Sequence, residues 1–232
     1  MISTLLQAAP VQTEVTYSLI EMAVKGGWLM IVLLLLSIVA IYVFGKKVSL
    51  ILHAGKVDPQ FLSDIRDYVQ EGKMQSALTL CQKFDNPVAR MAEAGLRRAG
   101  KPTAEIQTAM ENIGNLEVEK LEKGLPYLAM ISGGAPMIGF LGTVIGMVEA
   151  FFNMANAGNN IDITLLSSGI YTAMITTVGG LIVGIIAYFG YNYLTAKVSS
   201  IVYGMESATI KFMDVLSEAP AAAEGTAEKT EE

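Results

Sequence analysis

The sequence predicts an all-α integral membrane protein: three transmembrane helices, the second and third extended into a cytoplasmic helical bundle. Two observations carry that prediction. Apolar runs of membrane length occur at 26–45, 125–148 and 163–196, and none of them holds an Asp, Glu, Lys, Arg or His. A helix rises about 1.5 Å per residue and a bilayer core is about 30 Å thick, so each run can cross one. The composition agrees, at 52% hydrophobic and 16% charged, with a mean hydropathy of +0.46. Those values belong to a membrane protein and not to a soluble domain with a greasy core.

Taken in order, residues 1–25 have no basic stretch ahead of an apolar core, so they do not read as a cleaved secretory signal. Val15, Leu19, Met22 and Ala23 recur at helical spacing and predict a short periplasmic amphipathic helix on the membrane surface. A frayed terminus is the alternative. The first span, 26–45, opens with Trp28, closes with Tyr42 and Phe44, and is flanked by Lys25 and by Lys46 and Lys47. Interfacial aromatics and lysines mark span ends. Its aliphatic interior, Met30 to Ala40, predicts an outer, lipid-facing helix.

The segment 46–124 holds twelve of the sixteen Lys and Arg residues, and the loop 149–162 holds none. The positive-inside rule then makes 46–124 cytoplasmic, with a periplasmic N-terminus and a cytoplasmic C-terminus. Four helices are predicted within it. Asp58 and Pro59 open the first, which carries Phe61, Leu62, Ile65, Tyr68 and Val69 and stops at Gly72. The second covers roughly 73–84. Asn86 and Pro87 open the third, through Val88, Met91, Ala92 and Gly95, closing near Gly100. Thr103 caps the fourth, which carries Ile106, Met110, Ile113, Leu116 and Leu121. Its periodicity predicts one rod running into the second span, bent by Pro126 and Pro136, each of which removes a backbone donor.

Beyond the third span, 197–217 keeps an apolar stripe through Val198, Ile201, Val202, Met205, Phe212, Met213 and Leu216, predicted to pack on the helix of 103–124. The tail 218–232 is Ala, Glu, Gly, Thr and Pro and is expected to be disordered. The formal charge of −6 and pI near 4.9 argue against a nucleic-acid partner. One Cys and one His exclude an intrachain disulfide and a metal cluster of their own. Cys81 follows Met74, Ala77 and Leu78 in an apolar pattern, which predicts a buried structural thiol.

The second and third spans differ from plain lipid-facing helices in their polar content. The second carries Thr143 among Gly139, Gly142 and Gly146; the third carries Thr172, Thr176 and Thr177, then Gly179, Gly180 and Gly184. Gly142-xxx-Gly146 and Gly180-xxx-Gly184 are small-residue pairs of the kind that let membrane helices approach closely. The hydroxyls line an ion pathway, or they bond the preceding turn's carbonyls and do nothing else. Glu149 and Asp162 bracket the outer loop and either concentrate cations at an outer mouth or are solvated boundary charges. No span carries an Asp, Glu, Lys, Arg or His, so a proton relay needs a carboxylate from another chain. No Ser/His, paired Asp or metal constellation lies in or near the spans, which argues against an intramembrane enzyme.

The run Ala135-Pro136-Met137-Ile138-Gly139-Phe140-Leu141-Gly142-Thr143-Val144-Ile145-Gly146-Met147 resembles the second-span signature of the MotA/TolQ/ExbB proton-channel family. Gly169 to Leu181, followed by Tyr191 and Asn192, is similar to its third-span signature, and the segment around Gly72, Cys81 and Pro87 to the ExbB/TolQ cytoplasmic loop. Three spans fit the ExbB/TolQ branch. The resemblance implies a pore of five copies in a bacterial inner membrane, lined by the second and third spans. It implies a single-span ExbD-like or TolR-like subunit inside the pore with a membrane Asp, and energy transfer through a TonB-like or TolA-like protein to the outer membrane. Thr143 and Thr177 match the family's two pore threonines. One departure stands out: Thr172 occupies a position where ExbB and TolQ usually have glutamate, and Thr176 one where proton-type members tend to have Ala or Gly. That pattern is similar to sodium-driven relatives, so the coupling ion is H⁺ or Na⁺, the latter held transiently at Thr176 and Thr177; no other cofactor is expected. A non-conducting membrane scaffold is the alternative function.

Overall fold

A computed structural model of the chain describes residues 26–55, 60–156 and 163–227, with the backbone alone at 165 and 217–227. Among them every regular element is helical: α1 (Trp28–Ala54), α2 (Phe61–Gln70), α3 (Met74–Lys83), α4 (Pro87–Leu96), α5 (Thr103–Glu122), α6 (Leu125–Asn156) and α7 (Ile163–Ala227). Three stretches, Trp28–Ala54, Thr103–Asn156 and Leu166–Leu216, are long and apolar enough to cross a bilayer. The chain is the all-α membrane protein that its apolar runs predict. Two compact units divide it: Met1–Leu36 with Ala135–Val183, and Ser37–Gly134 with Gly184–Glu232.

The second unit is built as a water-soluble bundle is built, around large side chains. Phe61, Ile65 and Val69 form the buried stripe of α2. Gly72 takes φ +70 and turns the chain into α3. Asn86 caps α4, its Oδ1 accepting from the Ala89 amide at 2.8 Å, with Pro87 at the first helical position. The Phe61 and Phe84 rings meet edge to face at 5.3 Å. Met205, Ala208 and Phe212 of α7 enter the same core, beside Met91 and Met110, so the apolar stripe after the third span packs where its spacing predicts. Gly95 marks how closely they fit: a Cβ there would stand 2.6 Å from Phe212 Cε1. Glu117, 4% exposed, is held by Arg90 Nη2 and Lys120 Nζ at 2.6 Å each. Cys81 is buried, and that burial pushes its thiol up to about 12.

Some sequence expectations change. The proposed opening of α2 at Asp58 and Pro59 lies outside the described residues, as do residues 1–25. Thr103 is the first residue of α5 and not its cap; Pro102 occupies the cap position without a side-chain bond. The first helix runs on past Gly45 to Ala54. The fourth helix predicted within 46–124 and the second span are not one rod. Helix α5 ends at Glu122, Gly124 adopts φ +99, and α6 begins at Leu125. The left-handed conformation at Gly124 turns the chain out of the helix, which side-chain periodicity alone does not reveal. Pro126 therefore sits in the first turn of a new helix, where its missing N–H costs nothing, and of the two only Pro136 lies in the interior of α6. The third-span helix continues to Ala227, into the stretch where disorder was expected from 218.

Candidate functional site

The site lies in the first unit, where α6 and α7 meet. Lipid offers no hydrophobic drive for two apolar helices to associate, so close packing and hydrogen bonds must hold them together. The sequence supplies small residues on both sides of one seam. A Cβ on Gly180 would stand 2.5 Å from the Ala135 carbonyl oxygen and 2.9 Å from Gly139 Cα. A Cβ on Gly139 would stand 2.9 Å from the Thr176 carbonyl oxygen. The two backbones touch here, and neither glycine accepts a side chain. Further along, Gly146 faces Ala173, and Gly169 faces Ala150, whose Cβ would lie 2.6 Å from a Cβ on Gly169. The pairings Ala135 with Gly180 and Ala150 with Gly169 run in opposite directions along the two helices, as antiparallel neighbours require.

This close approach brings hydroxyls within reach of the neighbouring backbone. Thr177 Oγ1 donates to the Gly139 carbonyl at 3.0 Å. Thr143 Oγ1 lies 3.1 Å from the Ala173 carbonyl and is hydrogen-bonded to Thr177 Oγ1. Two hydroxyls and two carbonyls thus form a four-oxygen cluster bridging the spans. A threonine hydroxyl both donates and accepts, so the two protons have more than one arrangement: Thr143 gives its proton to Ala173 O or to Thr177 Oγ1. The cluster is neutral. It can pass hydrogen bonds along or present oxygen to a partly dehydrated cation, but it cannot release a proton near pH 7.

The other expected residues fall around this cluster. Thr176 is 2% exposed; its Oγ1 donates at 2.7 Å to the Ala173 carbonyl of its own helix. It packs under Gly142, which also meets Leu29 of α1. This threonine bonds the preceding turn, one of the two roles its spacing allows, while the adjacent Thr177 reaches across. Thr172 is half-buried one turn earlier, and no described bond of the cluster reaches it. Gly184 is buried and falls in the other unit, and the residues of α7 that meet α6 within this unit include Gly169, Ala173, Thr177 and Gly180. Glu149 lies exposed on α6, whose helix continues to Asn156, so it does not open a loop; Asp162 lies outside the described residues. Among the described residues no group of three His, Cys, Asp or Glu side chains is placed to hold a metal.

Sequence reasoning missed Ala135, Ala150, Gly169 and Ala173. The available signal was the small-residue spacing Ala135, Gly139, Gly142, Gly146 and Ala150, which repeats every three or four residues along one face. Met30 and Leu33 of α1 lie on Gly179, where a Cβ would stand 3.0 Å from Met30 Sδ. Outward from this packing, Leu34, Leu35, Ile38 and Ile41 of α1 are exposed, consistent with a helix that meets lipid.

Comparison with known proteins bears on what this arrangement serves. The chain is 30% identical over 185 residues to a biopolymer transport protein ExbB homolog of Methanothermobacter thermautotrophicus, covering 78% of this chain and 64% of that protein. It is 27% identical over 190 residues to an ExbB-like protein of Synechocystis sp., covering 81% and 75%. Over 93 residues it is 37% identical to the Tol-Pal system protein TolQ of Haemophilus influenzae, covering 40% of each chain. The chain thus spans less than two thirds of the length of the Methanothermobacter protein and of TolQ. A model of one family matches residues 83–207, which include α4, α5, the whole α6–α7 seam and its threonine cluster. With that match over more than half its length, the chain belongs to the MotA/TolQ/ExbB proton channel family.

Proposed function

We propose that the chain is the pore-forming subunit of an ion-motive-force-driven motor in a bacterial inner membrane, coupling H⁺ or Na⁺ flow to energy transfer of the TonB or TolA type. The observation that carries this reading is the Thr143–Thr177 hydroxyl pair, bonded to the Gly139 and Ala173 carbonyls between two uncharged spans. A polar cluster at membrane depth is costly unless it serves a path or a contact. Several copies, five by resemblance, surround a single-span ExbD-like or TolR-like partner. That partner's membrane carboxylate supplies the acid these spans lack. The N-terminus is periplasmic and the C-terminus cytoplasmic, as the distribution of Lys and Arg supports.

The four oxygens suit either ion. For H⁺ they offer a hydroxyl relay beside the partner's acid; for Na⁺ they offer hard neutral ligands. The Na⁺ version rests on Thr143 and Thr177 more than on Thr176, whose hydroxyl is already committed to its own helix.

The test is ion-driven activity of Thr143→Ala and Thr177→Ala, scored beside assembly with the partner. Loss of activity with normal assembly supports the motor. Unchanged activity supports the non-conducting scaffold. Equal activity in sodium-free and sodium buffers at one membrane potential removes Na⁺ as the coupling ion.

A further inference from the structure

The break between α5 and α6 is held by a residue far away in sequence. Lys47 of α1 is 9% exposed. Its Nζ donates to the Lys120 carbonyl at 2.9 Å and to the Leu121 carbonyl at 3.3 Å. These acceptors have a particular status. The last helical amide of α5, Lys123 N, bonds Glu119 O at 2.9 Å. In a continuing helix the next two amides, of Gly124 and Leu125, would take Lys120 O and Leu121 O. The ammonium of Lys47 occupies both places instead. Gly124 lies against it: a Cβ there would stand 3.3 Å from Lys47 Cε. An ammonium at a helix C-terminus also meets the negative end of the helix dipole. A buried cation is tolerated only where such partners replace its water.

We propose that Lys47 is the C-terminal cap of α5, supplied by the first membrane helix, and that it is a positioning residue for the start of the second. By taking the two carbonyls it ends α5 at Glu122 and fixes α6 to begin at Leu125. This rests on the reading of α6 as the span that carries the ion pathway through Thr143. The cap itself stands independently of that reading. Lysine has the reach and the three donors for two adjacent carbonyls. Arginine keeps charge and donors, whereas methionine keeps only the length and the apolar stem.

The experiment compares Lys47→Met and Lys47→Arg in the full-length chain in membranes, by amide hydrogen exchange over 119–127 and by ion-driven activity. The expected result is at least a tenfold rise in exchange for Lys47→Met and near-native exchange for Lys47→Arg. Activity is expected to fall at least fivefold in the first and to be rescued in the second, with insertion and assembly unchanged. If Lys47→Met does not insert, Lys47→Gln, which keeps two donors without the charge, takes its place and is expected to show an intermediate rise. Native exchange in Lys47→Met, or equal disturbance in Met and Arg variants, overturns the cap. Disturbed exchange with native activity overturns the positioning role and leaves the cap. A chain with no ion-driven activity at all refutes the motor reading while the exchange comparison still decides the cap.

Discussion

The seam between α6 and α7 and the bundle core around Phe212 solve the same packing problem with opposite materials. The bundle uses Phe61, Ile65, Met91, Met110, Met205 and Phe212, large side chains whose removal from water drives association. The seam uses Gly139, Gly146, Gly169, Ala173 and Gly180, which bury little area and bring backbones into contact. The difference reflects the solvent. In a bilayer a leucine gains nothing by leaving lipid for a neighbouring helix, so contact depends on close fit and on hydrogen bonds that lipid cannot provide. It follows that the two regions should fail differently when side chains are added or removed.

Adding atoms to the seam should have the largest effect. Gly180→Val places a side chain into the Ala135 carbonyl and Gly139 backbone, neither of which can move aside. We expect a cost above about 4 kcal/mol and no monodisperse complex in detergent. A normally assembled Gly180→Val protein would show that the seam is looser than these distances require. Removing atoms should be worst in the bundle. Phe212→Ala leaves a cavity among Met91, Met110 and Met205 and is expected to cost about 3–5 kcal/mol, read as accelerated proteolysis of the α2–α5 region. The same truncation logic applied to the seam predicts a small loss. Thr177→Val keeps the shape and removes two interhelical bonds, to the Gly139 carbonyl and to Thr143 Oγ1, each worth about 1 kcal/mol, so assembly should persist while activity falls. If stability falls as far as in Phe212→Ala, the cluster is structural first and the seam and the bundle do not differ in this way. The smallest effect concerns Cys81. With its thiol raised to about 12 by burial, almost no thiolate forms at pH 8, and maleimide labelling should be negligible until the bundle is denatured. Rapid labelling of the folded protein would mean the bundle opens readily.

How much was legible beforehand differs between the same two regions. The bundle helices could be read closely because their signals are local: Asn86 and Pro87 announce a helix start, Gly72 a turn, and Phe61, Ile65 and Val69 a buried face. The seam was only half legible. Thr143, Thr177, Gly139 and Gly180 stood out, but Ala150, Gly169 and Ala173 did not, because their partners on the other helix are not visible along the chain. Thr176 and Thr177 are adjacent and chemically identical. Spacing alone does not distinguish the one that bonds its own turn from the one that reaches Gly139; only the family resemblance singled out Thr177.

The linear chain by itself settled that there are three uncharged apolar runs, hence three membrane crossings, and that no span brings its own carboxylate. Those are properties of composition and length, and hydrophobicity acts on them residue by residue. Only the tertiary structure decided which glycines face which, and where α5 stops. Both depend on groups brought together across long stretches of sequence: Gly139 with Gly180, and the Lys47 ammonium with two carbonyls near Gly124. A carbonyl's partner is chosen by proximity in space, and in this protein the decisive partners come from other helices.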